Sequence, residues 1–315
     1  MRREEFLKYL GLAGFGLSTL PLWSQCKAKE KPLFFKLSLA QWSINRMIKA
    51  GDISPYEFAR LAAEWGFSGL EYVSQLYVDV YKAEDKDAAL ETFVAKSNAA
   101  AKEHGMKNVL IMIDSEGFLA APNVEERNQA ITNHMRWVQA AAALGCQAVR
   151  VNLSGTNDKE EWIRNSIAGL AELARQAAAY NINVIVENHG GFSSNAALLM
   201  QVINTINLPN CGTLPDFGNF CLESDWGGIN SDCPKTYPIY QGVEEMLTKA
   251  FAVSAKSYGF DKAGNETRID YEKMMTIVKN SGYTGFVGVE YEGEELSEPE
   301  GIQATKALLE RVGKI

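Results

Sequence analysis

The chain has 315 residues, 39 acidic against 31 basic, for a formal charge of −8. With 46% hydrophobic and 22% charged residues it has the composition of a globular protein, neither disordered nor saturated with apolar spans. The acidic balance argues against a nucleic-acid partner, which would need a basic face; three histidines (His104, His134, His189) are too few for a histidine-rich multi-zinc site, and five cysteines without a CxxC pair leave no zinc ribbon.

Residues 1–26 have the layout of an export signal: the basic start Met1-Arg2-Arg3, a mildly apolar, Gly-rich run from Tyr9 to Trp23, and the polar exit Ser24-Gln25-Cys26. The run is too short to cross a bilayer. Arg2-Arg3 ahead of Phe6-Leu7-Lys8 resemble a twin-arginine signal, which implies export of an already folded protein. Cys26 is a candidate for lipidation, the only membrane attachment the sequence suggests; an N-terminal amphipathic helix on a cytoplasmic protein is the alternative. The expectation is an exported protein, periplasmic or lipid-anchored, with its folded domain at 27–315. An oxidising compartment would also admit a Cys221–Cys233 bridge within one loop.

Short apolar runs then alternate with amphipathic stretches. Strands are expected at Leu37–Ser43, Gly69–Val73, Asn108–Asp114, Ala148–Leu153, Ile182–Asn188, Cys211–Asp216, Phe251–Ser257 and Phe286–Tyr291. Their near-continuous apolar, β-branched character fits parallel strands covered on both faces. Helical patterns lie between them at Pro55–Trp65, Ala88–His104, Val124–Leu144, Glu160–Tyr180, Asn195–Ile206, Val243–Thr248, Tyr271–Asn280 and Gly301–Val312, with starts such as Ser54-Pro55 and stops such as Leu144-Gly145. Eight βα units predict a single (β/α)8 TIM barrel. A doubly wound sheet is disfavoured, since no GxGxxG follows the first strand.

Barrel sites form at the C-terminal strand ends. Polar residues stand there in nearly every unit: Gln41 and Ser43, Glu71, Asp114 and Glu116, Asn152 and Ser154, Glu187-Asn188-His189, Asp216 and Asn219, Ser254 and Lys256, Glu290 and Glu292. Glu187, Asp216 and Glu290 each follow an apolar run, where a carboxylate is costly without a cation or strong donors. Three of them converging on one mouth would repel each other, and a divalent metal is the simplest way to hold them ionised. The oxygen-rich set favours Mg2+ or Mn2+, and an added imidazole, with His189 as the candidate, widens the choice to Zn2+ or Co2+.

The order Glu-Asn-His at the fifth strand, Asp at the sixth, Lys after the seventh and Glu at the eighth resembles the xylose isomerase-like TIM barrels, over roughly residues 34–312. That superfamily includes sugar phosphate isomerases and epimerases, ketose 3-epimerases, inosose dehydratases and the zinc AP endonucleases. The resemblance implies a metal held by Glu187, Asp216 and Glu290. The family's fourth ligand, a histidine two residues before the lysine, reads Ser254 here, and its histidine after the sixth-strand Asp reads Asn219. DNA repair does not fit, because the other zinc-ligating histidines and a basic groove are missing.

The resemblance implies an isomerase or epimerase acting on a keto or hydroxy sugar through an enediolate, with Glu187 and Glu290 as acid and base and Lys256 beside the developing oxyanion. Expected sugar contacts are His189, Asn219, Glu71, Asn152, Trp42 and Trp226, the last on a long loop after the sixth strand. Two alternatives stay open. One is a 3-keto-glycoside lyase or dehydratase on the same site; the other is a non-catalytic sugar-binding protein that has lost the metal. The partner expected is a small carbohydrate; a homodimer is compatible with the fold.

Overall fold

The computed structural model describes residues 31–314 apart from 225 and 230–232; the stretch expected to be an export signal, with Arg2, Arg3 and Cys26, lies outside the described residues. Eight short strands carry the architecture: β1 (Lys36–Ala40), β2 (Gly69–Val73), β3 (Lys107–Met112), β4 (Ala148–Val151), β5 (Asn183–Glu187), β6 (Cys211–Leu214), β7 (Val253–Ser257) and β8 (Phe286–Tyr291). They pair in parallel in the order β6-β5-β4-β3-β2-β1-β8-β7. Single bridges between Thr213 and Ala250 and between Asp216 and Ser254 close the ring from β6 to β7. This is the (β/α)8 barrel the sequence predicts.

Around it lie α1 (Asn45–Ala50), α2 (Phe58–Glu64), α3 (Val78–Tyr81), α4 (Lys86–Glu103), α5 (Val124–Leu144), α6 (Lys159–Ala178), α7 (Ala196–Ile206), α8 (Ile239–Leu247), α9 (Tyr271–Asn280) and α10 (Glu298–Val312). Local chemistry fixes their ends. Asn123 accepts the backbone N–H groups of Glu125 and Glu126, Ser297 and Glu300 form a reciprocal capping box, and Gly145 takes the left-handed conformation after α5.

Several strands stop before the apolar runs do. β1 ends at Ala40 because Gln41–Ile44 winds into a 3-10 turn, where the Gln41 amide accepts from the Val73 N–H and donates to the Pro55 carbonyl. β6 ends at Leu214, one residue before Pro215, which has no N–H to give a ladder. α10 starts at Glu298, three residues earlier than the periodicity suggests, because the capping box and Pro299 extend it backwards.

The main apolar core fills the layer between strands and helices, with Trp137, Trp162 and Phe93 fully buried in it. Inside the ring a smaller cluster of Leu110, Met112, Ile185, Leu214 and Phe286 forms the lower plug. Register continues that inward face upward into charge: Met112 pairs with Arg150, Arg150 with Ile185, and Lys256 with Glu290.

The Cys221–Cys233 bridge is formed, and the two remaining described cysteines, Cys146 and Cys211, are free and buried.

Candidate functional site

Strand alternation puts Glu187, Asp216 and Glu290 above the apolar plug. One carboxylate oxygen from each lies within 4.8 Å of the other two, and all three residues are buried. Ser254, where the sequence pattern led to a missing ligand, sits between two of them. Its Oγ lies 2.5 Å from Asp216 Oδ2 and 2.9 Å from Glu290 Oε2, so its one proton serves one carboxylate at a time. Asn219 links the cluster to Lys256: its amide donates to Glu187 Oε1 at 3.1 Å, and its carbonyl accepts from Lys256 Nζ at 3.1 Å.

Two buried cations serve this acidic floor. Lys256 Nζ lies 3.3 Å from Glu292, 3.7 Å from Glu290 and 4.0 Å from Asp216. Burial alone would discharge it, but Asp216, Glu290 and Glu292 outweigh burial and hold its pKa well above the ordinary lysine range. Arg150, in the middle of the apolar β4, is the second. Its Nη1 donates to Asp114 Oδ1 at 2.7 Å and to Asn152 Oδ1 at 3.2 Å, and its Nε faces Glu187 Oε2 at 2.8 Å as an ion pair without hydrogen-bond alignment. Burial pushes Asp114 upward, but Arg150 and then His189 more than reverse this and leave it below the usual carboxylate range.

The remaining acids move the other way. Burial raises Glu187 to about 7 against the pull of Arg150, with Glu290 adding to the rise. Burial also lifts Asp216 well above its ordinary value despite Lys256. Glu71 rises to about 8, chiefly by burial; the Ser38 hydroxyl bonds its Oε1 at 2.5 Å, while its Oε2 has no partner. Glu71, Asp114, Glu187, Asp216, Glu290 and Glu292 thus outnumber the cations buried beside them among the described residues, Arg150 and Lys256, and the upward shifts of Glu71, Glu187 and Asp216 reflect protons held where burial outweighs those cations. Three convergent carboxylate oxygens in such a field fit a divalent metal.

Above the floor opens a cavity of about 850 Å3. Asp114, Arg150, His189, Lys256, Glu290 and Glu292 reach it; of the three clustered carboxylates only Glu290 does, while Glu187 and Asp216 lie beneath. Trp42, Arg46, Tyr258 and Arg268 form parts of the walls, and Trp226 stands at the rim, 71% exposed.

The expected site residues therefore separate. Glu187, Asp216, Glu290 and Lys256 meet as expected. His189 is not among the clustered ligands: its ring lies on the cavity wall, edge-on to Trp226 at 5.6 Å. Burial, then Arg150 and Lys256, lowers it to about 4, so the imidazole is neutral near pH 7 and can both donate and accept. Trp42 lines the cavity with Lys49 over its ring at 4.1 Å. Asn219 and Asn152 are spent on positioning, Asn152 by donating to Asp114 Oδ1 at 2.8 Å. Glu71 is fully buried inside the barrel against Gly288 and does not line the cavity.

Glu116 turns outward to accept from the Trp137 indole at 2.7 Å, and Asn188 bonds the backbone of Asp216 and Asn219. His134 is a packing residue on α5, its Nδ1 2.7 Å from the Ala130 carbonyl.

Arg150 is the functional residue that sequence reasoning missed. Its signal was a lone arginine inside Ala148-Val149-Arg150-Val151, a charge that a strand buries only when carboxylates await it.

A family model described as a xylose isomerase-like TIM barrel matches residues 59–312. Among solved structures, an IOLI protein with a bound zinc atom is 18% identical, with 89% of this chain and 99% of that chain covered at a TM-score of 0.64. A 3-keto-D-glucoside 4-epimerase from E. coli is 16% identical over 82% of this chain and 94% of its own, at 0.62. A D-allulose 3-epimerase from Methylomonas sp. is 14% identical over 90% and 99%, at 0.66. At these identities the likeness is one of fold. No curated protein sequence matches.

Proposed function

Because the chain belongs to the xylose isomerase-like TIM barrel family, matched over residues 59–312, we propose that it is a divalent-metal-dependent isomerase or epimerase of a keto or hydroxy sugar. The observation that carries this reading is the convergence of Glu187, Asp216 and Glu290 under a polar cavity with Lys256 at its floor. Epimerases of 3-keto-glucoside and allulose among the structural neighbours point the same way.

Glu187, Asp216 and Glu290 would hold the ion, which supplies Lewis-acid polarisation of the substrate oxygens when bound. Mn2+ or Mg2+ suits a site whose fourth position is a serine rather than an imidazole. Both oxygens of Glu187 are engaged, by Arg150 and Asn219, and this favours a fixed carboxylate there. Glu290 opens to the cavity and is the group we assign to take the proton from the carbon beside the carbonyl, leaving an enediolate. Positioned proton transfer of this kind is worth roughly 10²–10⁴ in rate. Lys256, held cationic, stabilises the negative charge that develops on oxygen. Return of a proton to the opposite face completes an epimerisation, and return to the neighbouring carbon an isomerisation. Neutral His189 lines the cavity and can relay that proton, giving its ring N–H while its other nitrogen takes one from solvent; ionised Asp114, which has no proton to give, can only orient the ring or the substrate.

The Cys221–Cys233 bridge is compatible with the oxidising compartment to which residues 1–26 would direct the chain. One observation favours a second reading. Arg150 and Lys256 already pair with the clustered carboxylates, as in a sugar-binding protein that has dispensed with its metal.

The test is deuterium uptake from solvent into a panel of free and 3-keto sugars, with and without Mn2+. The enzyme reading expects uptake that needs the ion and disappears in Glu290→Gln. Expulsion of the aglycone in place of simple exchange would make the enzyme a lyase. Sugar binding indifferent to chelator, with no exchange on any sugar, would establish the binding protein.

A further inference from the structure

Trp226 is the most exposed large apolar side chain among the described residues, and residues on both sides of it bond to the surrounding loops. Cys221 N–H donates to the Gly227 carbonyl at 2.7 Å, Ile229 N–H to Gly218 at 2.9 Å, and Gly191 N–H to Ser224 at 3.2 Å. The Cys221–Cys233 disulfide closes the same loop. Gly227, at φ +78°, lies so near the next loop that a Cβ there would stand 2.6 Å from the Gly190 nitrogen. An indole left in water on such a loop gives folding little, because its apolar area stays solvated. Pre-ordering does serve a ligand, which then binds without ordering the ring itself.

The wall gives the direction. Lys256 and Glu290 at the floor are 1% and 3% exposed, His189 is half-buried, and Trp226 is 71% exposed. His189 and Trp226 meet edge to face at 5.6 Å, and both line the cavity that Lys256 and Glu290 also line. A sugar ring seated at the floor leaves Trp226 to whatever that sugar carries.

We propose that Trp226, pinned by the Cys221–Cys233 loop, is an outer subsite that stacks the aglycone or second ring of a glycoside, making the substrate a glycoside rather than a free monosaccharide. This rests on the reading that a sugar reacts at the cavity floor. Rings stack on the indole face through dispersion and burial, which tolerate varied aglycones while requiring one to be present.

The experiment measures binding of phenyl glucoside (both anomers) and of glucose to the full chain. Wild type should bind phenyl glucoside more tightly than glucose. Trp226→Ala should weaken phenyl glucoside about tenfold and leave glucose unchanged, with Trp226→Phe retaining most of the preference. Cys221→Ser/Cys233→Ser should lose part of the same preference while circular dichroism shows the barrel intact. Equal loss for both ligands in Trp226→Ala, or loss for neither, overturns the subsite. Phenyl-glucoside preference that survives in a protein showing no deuterium exchange would retain the subsite and remove the catalytic reading; exchange without the preference would do the reverse.

Discussion

Glu71 shows how far a single residue departs from its sequence-level role. At the end of β2 it reads as a sugar contact, but it is fully buried beneath the mouth, with Ser38 on one oxygen and nothing on the other. Its pKa rises from 4.5 to about 8. The unfolded chain therefore loses this proton before the folded chain does, so Glu71 erodes stability as pH climbs from 4.5 to about 8, and the loss is complete above that range. Glu71→Gln, which keeps an acceptor for Ser38, should leave urea stability nearly unchanged at about pH 4 and raise it by on the order of 3 kcal/mol at about pH 9, both with chelator present. A variant no more stable than the parent at the higher pH would show that Glu71 is ionised without penalty. Arg150 is the complementary case. Its position was legible in the sequence, but its meaning depended on Asp114 and Glu187, which are 36 and 37 positions away and were not visibly its partners until the strands were in register.

At the scale of elements, periodicity located the eight strands and the eight longer helices but not the short α1 and α3, and ends were decided by contacts that periodicity does not contain. Gly69–Val73, Val124–Leu144, Tyr271–Asn280 and Phe286–Tyr291 agree to the residue, because turn or cap signals flank them. The seam between β6 and β7 is different. Only single bridges join the chain there, and one of them carries the site, since it pairs Asp216 with Ser254. Gly212 permits this approach: a methyl group on it would overlap the Lys249 carbonyl and stand 2.6 Å from the Phe251 ring. Gly212→Ala should thus cost roughly 1–3 kcal/mol, as overpacking does, and should lower the thermal midpoint. An unchanged midpoint would show that the seam has slack.

Across the whole molecule, charge is the deciding quantity. A chain of net −8 concentrates five acids, Asp114, Glu187, Asp216, Glu290 and Glu292, at the mouth of its barrel against two buried cations, Arg150 and Lys256. A divalent ion that relieves this excess should stabilise the fold by about 2.7 kcal/mol at a hundredfold excess over its dissociation constant, read as a rise in melting temperature with Mn2+ that chelator reverses. Glu187→Gln should abolish the rise, and an identical rise in that variant would place the ion elsewhere. By itself the sequence determined the barrel and which strand ends carry acids, because those follow from local apolar pattern and from the rule that barrel sites form at strand C-termini. It marked Glu187, Asp216 and Glu290 for the same reason. Only the tertiary structure decided that Arg150 belongs with them, that His189 stands on a wall with Trp226, and that Glu71 lies below. Strand register and ring closure set which side chains share a face and a depth, and both are long-range properties that no window of sequence encodes.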